Sequence, residues 1–268
     1  MKVLSIMFNL AKNFFSCFYN SMRISPISHK QPKFNANSRW VYDKNGMELY
    51  KTTTYYFRDD LNWEDIIKYI CKKFSDVPKV NFINHACSSG MEPLSFIMSL
   101  IIHAPEYVKK FTPILAKDID KENIEMAKKG MCGVSSDDFL RVERMTKGCY
   151  KNFLDLRQSD DLKNLFIMSP KKILTDKVIF QQGDIFDDIE KMPKENTFLS
   201  CRNFWMYLPP KKQEELACRL GNHFSSGSTV LLGYLDTLDA TADKLLQKYG
   251  FKRCPEGTKF INIMYSKV

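Results

Sequence analysis

The chain has 268 residues, 44% of them hydrophobic and 26% charged, a globular composition that excludes a disordered or membrane-spanning chain and leaves room for one α/β domain with an appendage. Forty Lys and Arg against 31 Asp and Glu give a net charge of +9, which favours an acidic partner: an acidic peptide, anionic lipid or nucleic acid. The charge is spread along the chain, so nucleic acid is the weaker of these readings.

Residues 1–24, MKVLSIMFNLAKNFFSCFYNSMRI, carry polar side chains at 5, 9, 12, 16 and 20. That spacing predicts an amphipathic helix with Leu4, Met7, Phe8, Phe14, Phe15 and Phe18 on a broad apolar face. Asn9, Lys12 and Asn13 make it too polar to span a bilayer, and no small-x-small cleavage site follows. A helix packed on its own domain, a helix lying on a membrane surface and a targeting segment all stay open. Residues 25–50, rich in Pro, Asn, Ser and Lys, read as a linker, so 1–50 form an N-terminal segment ahead of the domain proper at 51–268.

From residue 51 the pattern becomes regular. A helix is predicted over 62–74, a strand over 80–86 and a helix over 93–103, which Pro105 ends. A strand over 112–117 leads to a helix over 121–129, with Asp120 as its N-cap and Gly130 at its C-terminus. Residues 131–176 read as irregular. Strands follow over 177–182 and 197–201, then a helix over 210–224 opened by Pro209 and Pro210. A strand over 228–233, a helix over 241–249 and a hairpin of 251–255 with 259–266 close the chain. Strands alternating with helices predict a doubly wound α/β sheet, mostly parallel, with the hairpin as its antiparallel edge.

Ligands of such a sheet bind at the carboxyl ends of its strands, so the residues just after each strand matter most. After the first predicted strand comes Ala86-Cys87-Ser88-Ser89-Gly90. Gly90 permits a backbone that a Cβ would obstruct, and the helix behind it offers free N–H groups. The stretch lacks the GKS/T ending of a P-loop and is no GxGxxG; taken alone it is a plain turn. After the second strand, Asp120 serves as a cap, which leaves Asp118 at the strand tip. A carboxylate there can accept both hydroxyls of a ribose, or simply be solvated. After the third, Asp184 suits an adenine amino group and Ile185 the face of the ring. After the fourth, SCRNFWMYL offers Arg202, Asn203 and Tyr207. Four strand ends with nucleoside contacts and no phosphate grip point to a nucleoside held without phosphates.

The eight cysteines include no CxxC pair, and none stands at metal-ligand spacing from the four histidines. No metal is expected. Several thiols fall in apolar runs, as reduced structural cysteines of a cytoplasmic protein do.

ACSSGMEPLS, residues 86–95, resembles the A-x-S-T-G-E-E-P-Y-S stretch of the chemotaxis receptor methyltransferases, the CheR family. AKDIDKENIEMAKKGMC is similar to that family's second motif, FLSCRNFWMYL to its F-C-R-N-x-x-x-Y-F motif, and Thr54-Tyr55-Tyr56-Phe57-Arg58 to its T-x-F-F-R signature. The match runs in order over roughly residues 50–235. The resemblance implies a class I methyltransferase sheet of Rossmann-like topology with a small β-subdomain at 131–176. It implies S-adenosylmethionine as cofactor and methyl transfer to a glutamate side chain of a protein. By motif position, Thr54 and Arg58 would contact the cofactor from above, Glu92 would lie by its methionine end, and Ala86 and Gly90 would also belong to the cofactor site. Asp118 would hold the ribose, Asp184 and Ile185 the adenine, and Arg202 and Asn203 the remaining wall. Tyr207 would face the transferred methyl. Met91 and Leu94 stand where the family has glutamate and tyrosine, Asp184 replaces its usual asparagine, and its basic N-terminal helical domain is missing or reduced to the first 50 residues.

A carboxylate acceptor is ionised near pH 7, so this chemistry needs no general base, and the absence of a Ser-His or Cys-His pair costs the reading nothing. The expected partner is an acidic protein. Two alternatives stand beside it: a methyltransferase of the same fold acting on nucleic acid or a small molecule, and a non-catalytic module that binds the cofactor.

Overall fold

A computed structural model of the chain describes residues 38–42, 48–158, 165–238, 240–254 and 263–268. The chain divides into units 1–33 and 34–268, and only the second contains described residues; the amphipathic helix expected over 1–24 lies outside them. Part of the expected linker is instead an antiparallel hairpin of β1, Ser38–Tyr42, and β2, Glu48–Thr53. Its cross-strand pairing leaves no mark on composition, which is all the linker reading used.

Helix α1, Trp63–Lys73, starts where the Asn62 side chain accepts the Asp65 N–H at 3.2 Å. Glu64 and Asp65 lie in its first turn and Lys72 and Lys73 in its last, both matched to the helix dipole. Strand β3, Asn81–His85, leads through a tight turn into α2, Met91–His103. The helix begins two residues before the expected start, because Gly90 enters it at φ 87° and Pro93 still falls in the first turn. Every residue of α2 from Met91 to Leu100 is buried. Strand β4, Ile114–Asp118, is followed by α3, Lys121–Lys129, whose N-cap Asp120 accepts from Glu122 and Asn123 and whose C-cap is Gly130 at φ 68°.

Residues 131–176 are not irregular. Strands β5 (Cys132–Ser135), β6 (Leu154–Gln158) and β7 (Leu165–Pro170) make a separate antiparallel sheet in the order β5-β7-β6, and α4, Ser136–Met145, follows β5. This is the small subdomain that the family resemblance implied. The main chain then runs through β8 (Val178–Gln182), β9 (Thr197–Ser200), α5 (Pro210–His223), β10 (Thr229–Leu231), α6 (Thr241–Lys248), β11 (Phe251–Arg253) and β12 (Met264–Lys267).

The seven-stranded sheet has the order β11-β12-β10-β9-β3-β4-β8. It is parallel except at β12, which inserts antiparallel between β10 and β11. The expected hairpin is thus present, with its reversed strand one place in from the edge. This is the doubly wound, mostly parallel sheet expected from the alternation of strands and helices. One face packs on α1 and α2 through Trp63, Phe82, Phe96, Phe111 and Phe198, with Phe82 and Phe198 at 4.7 Å edge to face. The other packs on α5 and α6 through Leu216, Leu220, Leu246, Trp205 and Tyr265. No helix among the described residues is long and apolar enough to cross a membrane.

Candidate functional site

The chain leaves β3 toward β4 and β8 on one side and returns to β9 on the other, which makes the carboxyl end of β3 the switch point of the sheet. Parallel register sets His85 opposite Lys117, Asp118 opposite Gln182 and Asn84 opposite Ser200, so four strand ends meet along one edge. A cavity of about 260 Å³ opens there. Thr54, Arg58, Ala86, Glu92, Asp118, Asp184, Ile185, Arg202, Asn203 and Tyr207, all singled out from sequence, line it. Gly90 is not among the lining residues: a Cβ on it would meet the Phe180 ring at 2.7 Å and Ala127 at 3.1 Å, so this glycine lets α2 pack on β8 and α3.

The wall is built from backbone held in an uncommon conformation. Ala86, Ser88 and Asn203 all line the cavity at φ 60°, 50° and 59°, and Phe57, beside Arg58, sits at φ 50°. Non-glycine residues there cost about 1–3 kcal/mol each and persist only when their surroundings impose them. The surroundings do so through long-range hydrogen bonds. The Ser88 N–H donates to Asp118 Oδ2 at 2.7 Å, the Asn203 N–H to Asp236 Oδ2 at 2.5 Å and the Phe57 N–H to Ser95 Oγ at 3.0 Å. Asp118 also accepts the Asp120 N–H at 2.9 Å through its other oxygen. Burial raises the Asp118 pKa, and the N–H groups of Asp120 and Ser88 work against that rise.

Glu92 and Arg202 meet each other before they meet any ligand. Arg202 Nη1 donates to Glu92 Oε2 at 2.7 Å, while Glu92 Oε1 accepts from Asn84 Nδ2 at 2.9 Å and Ser200 Oγ at 2.7 Å. Arg202 Nη2 donates to Asp60 Oδ1 at 2.5 Å, and Arg58 Nε lies 3.7 Å from the same oxygen. Burial pushes the Asp60 carboxyl up, but Arg202 and Arg58 outweigh it and hold the group below the usual carboxylate range. Both guanidinium groups of the wall are therefore matched by carboxylates. Nothing resembles the bare cationic clamp that a polyphosphate requires.

At the opposite end, Asp184 caps a one-turn helix by accepting the Phe186 N–H at 2.9 Å, and Ile185 and Phe186 give the wall a flat apolar surface. Beneath it, Asp188 Oδ2 takes His85 Nε2 at 3.2 Å and Lys117 Nζ at 2.9 Å, and hydrogen bonding to His85, then to Lys117, lowers its pKa to about 2. Gly183 makes room for this group, since a Cβ there would displace the Asp188 carboxylate. Tyr207 stands at the mouth, 39% exposed, and burial of its inner half raises its pKa. The side-chain carbonyl of Asn203 is buried on the wall without a hydrogen-bond partner.

A buried carboxylate at the end of β4 and an apolar surface along the same edge suit a nucleoside. The sequence reading missed His85, Ser88, Phe186, Phe204 and Leu208 on the wall, and the anchors Asp60, Ser95 and Asp236 behind it. Asp236 follows β10, the fifth strand end, and extending the strand-end rule one strand further would have found it.

Residues 52–253 match the family model described as CheR methyltransferase, SAM binding domain. The chemotaxis protein methyltransferase of Borreliella burgdorferi is 25% identical over 192 residues, which cover 69% of this chain and 64% of that one. The chain thus spans less than two thirds of the length of that relative. Among solved structures, magnesium protoporphyrin IX methyltransferase from Synechocystis PCC 6803 with bound SAM is similar at a TM-score of 0.39 and 11% identity, over 78% of this chain and 79% of that one. A TehB-like SAM-dependent methyltransferase from Corynebacterium glutamicum gives 0.38 and 11%, over 78% and 87%.

Proposed function

The chain belongs to the CheR methyltransferase family and carries its S-adenosylmethionine-binding domain, and from that premise we propose that it methylates a glutamate side-chain carboxylate of an acidic protein. The cofactor supplies a methyl group on a positively charged sulfonium. The acceptor oxygen would form its bond to that carbon as the carbon–sulfur bond breaks, with the electron pair leaving on sulfur as a neutral thioether. The residues of the cavity fit this cofactor: Asp118 would take the ribose hydroxyls on lone pairs its two N–H partners leave open, and Asp184, Ile185 and Phe186 would hold the adenine. Thr54 and Arg58 would cover the methionine end.

The observation that carries the carboxylate reading is that the ionisable groups of the wall are already committed. Asp118 holds two backbone N–H groups, Glu92 holds Arg202, His85 is bonded to Asp188 and Asp184 caps a helix. An amine or hydroxyl acceptor would need one of them to take a proton, whereas a carboxylate arrives ionised. The net charge of +9 also favours approach of an acidic segment. The product is then a base-labile ester: label transferred from radiolabelled cofactor to protein should be released as methanol by mild alkali. Tyr207→Phe should lower turnover more than cofactor affinity. Alkali-stable label would replace the ester by N-methylation, and label in RNA or DNA alone would overturn the protein acceptor.

Asp118→Ala tests the cofactor assignment separately. Losing charge-assisted hydrogen bonds should weaken S-adenosylhomocysteine binding, measured by calorimetry, by roughly 1.5–3 kcal/mol, about tenfold to a hundredfold. Because Asp118 also anchors Ser88, the ligand-free protein should lose about 1 kcal/mol of stability as well. Unchanged affinity would remove Asp118 from the site.

A further inference from the structure

We propose that Arg141, on helix α4 of the inserted subdomain, is a positioning residue for the cofactor: it clamps the segment Thr54–Asp60 over the cavity without lining the cavity itself. The inference rests on the cofactor reading above, since Thr54 and Arg58 are the segment's two wall residues.

The clamp has three jaws. Arg141 Nε donates to both oxygens of Asp59, at 3.0 and 3.1 Å, across 82 residues of sequence. Its Nη1 donates to Asp138 Oδ1 at 2.6 Å, and Asp138 in turn closes the capping box of α4 with Ser135, so the arginine is oriented by the first turn of its own helix. Its guanidinium lies 4.6 Å from the centre of the Tyr55 ring, and Arg58 approaches the same ring at 5.1 Å. Tyr55 and Asp59 are thus held from the insert, and Arg58, between them in sequence, both touches Tyr55 and pairs with Asp60. With Asp60 joined to Arg202, a continuous set of charged contacts runs from the insert across the cavity roof to the buried Glu92.

The guanidinium is suited to this task because its rigid plane carries donors in several directions, Nε to Asp59 and Nη1 to Asp138, while its centre lies near the Tyr55 ring, an arrangement a lysine ammonium does not reproduce. Only 16% of the Arg141 side chain is exposed. Arg144, one turn further along the helix, offers a control: it carries the same charge 4.0 Å from Asp59 but is 72% exposed and, among the described residues, has no ring contact of this kind.

The test is calorimetric titration of S-adenosylhomocysteine into the full chain and its variants, with thermal midpoints recorded without ligand. Arg141→Ala should bind roughly tenfold more weakly, in the range found for residues that act on a site they do not touch, with the ligand-free midpoint little changed. Arg141→Lys should recover part of the loss, and Arg144→Ala should stay within about twofold of wild type. Arg141→Ala combined with Asp59→Ala should be no weaker than Arg141→Ala alone, because both remove one clamp. Wild-type affinity in Arg141→Ala, additive losses in the double variant, or an equal loss in Arg144→Ala would overturn the proposal. Should Arg141→Ala fail to fold, Arg141→Lys with wild-type affinity would overturn it equally. Absence of binding by the wild-type chain would instead overturn the cofactor reading beneath it, and the acceptor's identity has no bearing on any of these outcomes.

Discussion

Arg202→Met should lower the unfolding free energy by about 3–5 kcal/mol, the loss typical of a buried ion pair deprived of one partner. The Arg202 side chain is fully buried, with Glu92 at 10% exposure and Asp60 at 20%. Burial disfavours the guanidinium charge, yet Glu92 and Asp60 outweigh it and hold the group more firmly charged than usual. Without Arg202, Asp60 can turn toward water, but the buried Glu92 is left with Asn84 and Ser200 as its donors among the described residues. Glu92→Gln should therefore restore most of what Arg202→Met loses, bringing the double variant within about 1–2 kcal/mol of wild type, because a glutamine oxygen can still accept both remaining donors. Urea denaturation reads the result as a shift in midpoint at unchanged slope. A loss below about 1 kcal/mol in Arg202→Met would mean the pair is hydrated and contributes as a surface pair does.

That pair also marks the boundary of what the sequence could reveal. Seven residues of the cavity wall were legible because a parallel sheet brings its strand ends to one edge, so that position after a strand predicts location without any knowledge of contacts, and Thr54, Arg58 and Glu92 were legible only through the family motifs. Which of those residues face a ligand and which face each other was not legible. Glu92 and Arg202 are 110 residues apart, and no local pattern tells a carboxylate aimed at a cofactor from one aimed at an arginine. Gly90 shows the same limit: its φ of 87° fits the expected turn, but the space its missing Cβ leaves is filled by Phe180. The inserted sheet was invisible for a different reason. Its strands have four to six residues, and β5 pairs with β7 across the whole of α4 and β6, so Cys132 meets Met168. Short strands paired at such a distance leave little alternation for a window to detect. Ordered family motifs implied a subdomain there where periodicity could not.

Asp236 is the second group whose replacement should have a large effect, and its effect should depend on pH. Its carboxylate is buried and accepts the N–H groups of Gly233 at 2.9 Å, Asn203 at 2.5 Å and Met206 at 3.4 Å. It thereby fixes the chain from Asn203 to Tyr207 on the cavity wall. Burial nevertheless dominates, and these donors together with Arg202 only partly offset it, so the pKa is pushed up to about 6 from 3.8. A folded pKa above the unfolded one means that the folded state holds the proton more tightly between those two values. The stability Asp236 contributes is therefore fully present below about pH 4 and lost as pH rises through about 6, a change of roughly 3 kcal/mol at 1.36 kcal/mol per unit. Asp188, with its pKa lowered to about 2, has the opposite sign and loses its contribution only as pH falls through that value, outside this window. Asp236→Asn cannot ionise, and comparing it with wild type cancels the other titrating groups. The stability advantage of wild type over the variant should shrink by about 2–3 kcal/mol between pH 4 and pH 7. The physical reason is a trade at the site: ionised Asp236 is the stronger acceptor for the strained Asn203 backbone, and holding that charge out of water costs stability at the pH where the grip is tightest. An advantage that stays constant, or grows with pH, would show that Asp236 ionises normally and that the Asn203–Tyr207 segment is not held by a destabilised carboxylate.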